Sequence, residues 1–131
     1  IPRSAADRVR SVRPAAAQTS CKRSRPWRVI LADMYRHVVM FKWNDDVDDA
    51  HIVATGAALD ALVATIDEVG DYRHGADLGL TEGNFDYVIV GEFASVEDYV
   101  TYRDHPDHRQ VIADYIAGRD SARAAVQYDA G

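Results

Sequence analysis

Tyr35 to Trp43 reads Tyr-Arg-His-Val-Val-Met-Phe-Lys-Trp, a run rich in β-branched and aromatic side chains that predicts a strand. Successive side chains on a strand point to opposite faces. His37, Val39, Phe41 and Trp43 therefore share one face, and Val38 and Met40 share the other. Apolar residues on both faces imply a strand covered on both sides. A chain of 131 residues supports one domain with a single core, and the helices of so small a domain cover only one face of a sheet. Burial of apolar surface is worth ~25 cal/mol per Å², and a contiguous wet apolar face is correspondingly unfavourable. A homodimer packed sheet on sheet is expected.

The remaining pattern supplies the other elements. A polar turn spans Asn44 to Asp49, and Ile52, Leu59, Leu62, Val63, Ile66 and Val69 then fall at helical spacing along one stripe. Gly70 is expected to stop that helix in a left-handed cap. Tyr72 to Leu80 predicts a weaker, glycine-broken strand with Ala76, Leu78 and Leu80 on one face, turning at Thr81 to Asn84. Phe85 to Ala94 predicts the strongest strand, with Tyr87, Ile89 and Phe93 facing one way and Val88 and Val90 the other. Ser95 has the place of an N-cap, with Asp98 as its capping-box partner, for a helix carrying Val96, Tyr99, Val100 and Arg103. His105 caps a second helix whose first residue is Pro106, where a missing N–H is harmless. Val111, Ile112, Tyr115 and Ile116 form its apolar face, Gly118 ends it, and Ala122 to Tyr128 predicts a last strand. The order β-α-β-β-α-α-β is a ferredoxin-like split βαβ of the α+β class with its second crossover helix broken in two. Its helices lie on one face of an antiparallel sheet.

Charge divides the chain unevenly. Residues 1–33 carry eight basic residues against Asp7 and Asp33, a net charge of +6, whereas the rest of the chain carries −12. So acidic a body repels phosphate backbones, so no nucleic-acid partner is expected. Residues 1–33 lack apolar periodicity and the apolar core of a secretory signal. They are read as a disordered, non-native or misassigned leader, with the domain spanning 34–131. No apolar run approaches the roughly 20 residues that span a bilayer, so no membrane partner is expected. The single cysteine, Cys21, leaves no internal disulfide and suits a reducing cytoplasm.

Chemistry concentrates in Tyr102-Arg103-Asp104-His105-Pro106-Asp107-His108. A phenol and two imidazoles lie within one or two helical turns, where Pro106 forces the chain to restart, which makes a candidate acid/base site. The structural alternative is that His105 is only a cap and that Tyr102 and His108 only tie the helix break to the sheet. His105-x-x-His108 has metal-ligand spacing, but Pro106 intervenes and no third ligand accompanies the pair, so no metal or other cofactor is expected. His51 and His74 are read as surface or loop residues. Asp45, Asp46, Asp48 and Asp49 lack the glycine and distal glutamate of an EF-hand loop and are read as a solvated turn.

His37-Val38-Val39-Met40-Phe41-Lys42-Trp43, Phe85-Asp86-Tyr87-Val88, Phe93-Ala94-Ser95, the Tyr-x-x-His-Pro-x-His segment from Tyr102 to His108, and Val126-Gln127-Tyr128-Asp129 together resemble the stress-responsive A/B barrel (Dabb) family. The resemblance covers Met34 to Asp129 and implies a dimeric α+β barrel. One branch of that family comprises plant stress-associated proteins; another is the olivetolic acid cyclase type, which closes a poly-β-ketone by aldol condensation without a cofactor. The resemblance to that branch implies His108 as base and Tyr102 as donor to the developing oxyanion. His37 on the first strand would assist them. The substrate class implied is an apolar, carbonyl-bearing small molecule. The glycine-bearing second strand, with Gly75 and Gly79, has no clear match in the cyclase. Two alternatives stay open: a non-catalytic structural dimer, and a cofactor-independent monooxygenase of the same architecture.

Overall fold

The structure is a computed structural model that describes residues 33–131. The leader expected over 1–33 lies, except for Asp33, outside the described residues. From Tyr35 onward the elements are β1 (Tyr35–Trp43), α1 (Asp49–Val63), β2 (Tyr72–Ala76), β3 (Tyr87–Phe93), α2 (Val96–Asp104), α3 (Pro106–Val111), a π-helical turn (Ile112–Ile116) and β4 (Asp120–Asp129). The four strands form one sheet in the order β2-β3-β1-β4, and every neighbouring pair is antiparallel. This is the ferredoxin-like arrangement, with three helices against one face. Among the described residues no helix is long and apolar enough to cross a membrane.

Alternation along the central strands sets the core. Val39, Phe41 and Trp43 of β1 and Tyr87, Ile89 and Phe93 of β3 are all buried beneath the helices. Leu59 and Leu62 of α1, Tyr102 of α2 and Ile116 of the π turn close the layer. The opposite face is far less covered: Met40 and Val126 are 37% and 56% exposed, and Val38, Val88 and Val90 are half-buried.

Local chemistry explains the element ends. Ser95 Oγ accepts from the Asp98 backbone N–H at 3.0 Å, which satisfies one of the free donors at the start of α2. His105 Nδ1 accepts from the Asp107 N–H at 3.1 Å, with Pro106 opening α3. At the far end the Ala117 N–H donates to Ile112 O at 2.7 Å, the wide spacing of a π turn. Gly118 then reverses the chain at φ +78°, a conformation open to glycine.

Three local expectations need correction. The first helix stops at Val63, and Ile66 and Val69 follow in turns, where Ile66 still reaches the core. Gly70 is not a left-handed cap; a Cβ there would stand 3.0 Å from Glu92 O, so glycine serves a close backbone approach sealed by the Gly70 N–H to Glu92 O bond. The second strand ends at Ala76, leaving Leu78 and Leu80 more than four-fifths exposed. Their alternation mimicked a strand, but Asp77 caps a loop by accepting from the Gly79 N–H.

Candidate functional site

Between helices and sheet lies a cavity of about 510 Å³. Its walls are apolar, with Val39, Phe41, Leu59, Ile89, Ile112 and Ile116 among the residues that line it. Its polar lining includes His37 from β1, Tyr102 from α2 and His108 from α3. The three side chains singled out in the sequence therefore meet on one cavity, although His37 and His108 are 71 positions apart in the chain. The space stays open because the helices do not cover β4: Arg123, Ala125 and Gln127, opposite Phe41, Val39 and His37, are all exposed.

The two imidazoles have opposite polarity. His108 Nδ1 lies 3.0 Å from the Arg103 carbonyl oxygen, which can only accept, so Nδ1 carries the proton and Nε2 is left with the lone pair. His37 Nδ1 lies 2.8 Å from the Gln127 side-chain nitrogen, which can only donate. In neutral His37 the proton therefore sits on Nε2. Burial holds both imidazoles below the ordinary range. His37 is lowered to about 4, by desolvation first and then by the Arg123 charge. His108 is lowered chiefly by desolvation, against a backbone hydrogen bond that raises it. At neutral pH the cavity thus presents one imidazole acceptor and one imidazole N–H donor.

Tyr102 packs its ring against His108, with centroids 4.2 Å apart, and against Phe93 at 5.3 Å. Its hydroxyl meets the Tyr72 hydroxyl of β2 at 3.0 Å. Burial pushes the Tyr102 phenol up to about 12 and raises Tyr72 as well, so both stay protonated. A hydroxyl donates one bond and accepts two; with Tyr72 donating, Tyr102 keeps its own O–H. Tyr72 was missed in the sequence, because its strand looked weak and nothing local pairs it with α2.

His51 and His74 are not the surface or loop residues expected. His51 Nε2–H donates to Tyr115 O at 2.8 Å, tying α1 to the π turn. His74 on β2 lies between Asp60 Oδ1, at 2.6 Å, and the Tyr87 hydroxyl, at 2.7 Å, and its side chain is 12% exposed. Gly56 makes room for that cluster, since a Cβ would come within 3.2 Å of the Tyr87 hydroxyl. His105 is occupied by capping, and among the described residues no group of three or more His, Cys, Asp and Glu is placed to hold a metal ion.

Comparison with known proteins returns the family described as Stress responsive A/B Barrel Domain, matched over residues 35–129. A stress-response A/B barrel domain-containing protein of Arabidopsis thaliana is 32% identical over 98 residues, covering 72% of this chain and 46% of that protein. The chain thus spans about half the length of that curated relative. Among solved structures, a dimeric ferredoxin-like protein of unknown function from Thermobifida fusca is 39% identical. Its TM-score is 0.70, with 75% of this chain and 92% of that chain covered. A hydroxynitrile lyase from Passiflora edulis has the same fold at 18% identity. There the TM-score is 0.68, covering 77% of this chain and 96% of that one.

Proposed function

This chain belongs to the stress-responsive A/B barrel family, and from that membership we propose that it is a homodimer that binds an apolar, carbonyl-bearing small molecule and moves a proton on it without a cofactor. The observation that carries the reading is the cavity of about 510 Å³ with an imidazole acceptor and an imidazole donor on one apolar space. Pockets for small ligands are commonly apolar with a few convergent polar groups. In the proposed step, His108 Nε2 takes a proton from the carbon next to the ligand carbonyl, and the electron pair of that C–H bond moves onto the carbonyl oxygen. The resulting enolate oxygen accepts hydrogen bonds from Tyr102 O–H and His37 Nε2–H. Attack of that enolate carbon on a second carbonyl of the same ligand would close a ring, the π pair of that carbonyl moving to its oxygen, which takes back the proton held by His108; the reverse step would cleave a carbon–carbon bond. A hydroxynitrile lyase among the solved structures of the same fold supports a lyase reading of this architecture. The uncovered sheet face around Val38, Met40, Val90 and Val126 supports the homodimer, as does the dimeric Thermobifida fusca relative.

A non-catalytic dimer is the second reading, favoured by the bonds that tie His108 to the Arg103 carbonyl and Tyr102 to Tyr72. The deciding experiment uses 4-phenylbutan-2-one in D₂O, following loss of its α-proton signals by NMR. Wild-type protein should bind the ketone and accelerate exchange. His108→Gln should keep binding but lower the protein-catalysed rate by about 10²–10⁴, the usual worth of a positioned base. Bound ketone with exchange at the buffer rate would leave the structural dimer standing. An oxygenase would begin with the same deprotonation and would add oxygen uptake dependent on the ketone.

A further inference from the structure

We propose that the ligand carries an anionic end, in the simplest case a carboxylate, seated on the Arg123 guanidinium while its carbonyl lies between His108 and His37. The inference rests on the reading of this cavity as a small-molecule site and names the substrate class as keto acids. Arg123 pairs with Phe41 across β1 and β4, so its side chain is on the helix face, and it lines the cavity. What distinguishes it is that nothing among the described residues holds it. Arg36 is paired with Glu92, Arg73 with Asp71, and both Arg103 and Arg109 with Asp104. Arg119 donates to the Asp114 carbonyl, and the Lys42 ammonium lies over the Phe85 ring. Arg123 alone among these seven cations has no ion pair, hydrogen bond or aromatic partner among the described residues.

The surroundings give the site a direction. Ala125, the next residue on the same face, is small, which leaves the path from Arg123 to the His37–Gln127 pair unfilled by a long side chain. A register shift between Lys42 and Trp43 makes Ser121 an extra residue, which brings Asp120 onto the same face, opposite Trp43. Asp120 also lines the cavity, but no ion pair within 4.0 Å joins it to Arg123. An anion would be repelled at the Asp120 end and held at Arg123, on the side nearer the histidines. Arg103, the other guanidinium on the lining, already donates two hydrogen bonds to Asp104. A planar guanidinium suits a carboxylate because it donates two parallel hydrogen bonds. The Arg123 charge is felt at His37, whose pKa it lowers. Residues 34–131 carry a net charge of −12, so the long-range field works against an anion, and any preference for one must be local.

The test is calorimetric titration of 5-oxo-5-phenylpentanoate and of its methyl ester, which share ring and ketone and differ in charge. Wild-type protein should bind the acid about tenfold more tightly than the ester, the effect of one charge-assisted contact at a partly wet site. Arg123→Gln should weaken the acid by about tenfold and leave the ester within about twofold. Arg73→Gln, exposed on β2, paired with Asp71 and outside the cavity lining, should change neither. Equal affinity for acid and ester in wild type, or an equal loss in both arginine variants, would overturn the anion site while leaving the cavity reading intact. Failure of both compounds to bind would overturn the two together.

Discussion

Acidification should expose the role of His37, because a buried imidazole that stays neutral when folded makes stability depend on pH. The folded pKa is lowered from 6.5 to about 4. Above pH 6.5 both folded and unfolded His37 are neutral and the group contributes no penalty. Between 6.5 and about 4 the unfolded chain takes up a proton that the folded protein refuses, so stability falls as pH falls through that window. Below about 4 both states are protonated and the loss is complete. A shift of this size corresponds to roughly 3 kcal/mol as an upper limit, at about 1.4 kcal/mol per unit. Screening by solvent on the open side of the site reduces this to about 1–2 kcal/mol. The geometry adds a specific reason for the refusal. Protonation would put a hydrogen on Nδ1, where the Gln127 amide already donates at 2.8 Å, so the amide must turn over. Urea unfolding of wild type and His37→Gln near pH 7.5 and near pH 4.5 measures the effect as a difference of differences. Wild type should lose about 1–2 kcal/mol more than the variant. Equal losses, or a His37 Cε1–H signal titrating near the ordinary imidazole value, would refute the buried neutral donor on which the proposed oxyanion contact depends.

Two other perturbations follow from the structure. Tyr72→Phe and Tyr102→Phe should each destabilise by about 1–2 kcal/mol by leaving the other buried hydroxyl unpaired, while the double variant should be well short of their sum. Additive losses in a urea double-mutant cycle would show that the 3.0 Å contact carries no coupling. Met40→Asp, on the sheet face away from the helices, should shift the protein from dimer to monomer in sedimentation while leaving its circular dichroism unchanged. A variant that remains dimeric would move the interface elsewhere.

The order of elements and most of their ends were legible locally. Val39, Phe41 and Trp43 alternate with Val38 and Met40 at the strand period, and the pattern needs only neighbours two apart to be read. Ser95 and the His105-Pro106 pair announced their helix starts because a cap bonds to backbone two or three residues away. The same locality explains the errors. Leu78 and Leu80 alternate like a strand, yet β3 has no residues left to pair with them beyond Tyr87. Gly70 resembled a cap, although its constraint comes from Glu92, a backbone 22 positions on. The candidate site divides along the same line. The chain alone determined that Tyr102 and His108 stand one to two turns apart on either side of a helix break, and that His37 lies on the core face of its strand. Only the tertiary structure decided that the three share a cavity, that Tyr72 holds the Tyr102 hydroxyl, and that Gln127 sets the His37 tautomer. It alone also placed Arg123 and Asp120 on one wall through an extra residue in β4. Periodicity and capping are interactions within one or two turns, so they are written in consecutive residues. Strand register, helix-to-sheet packing and the space left over β4 arise between segments tens of residues apart.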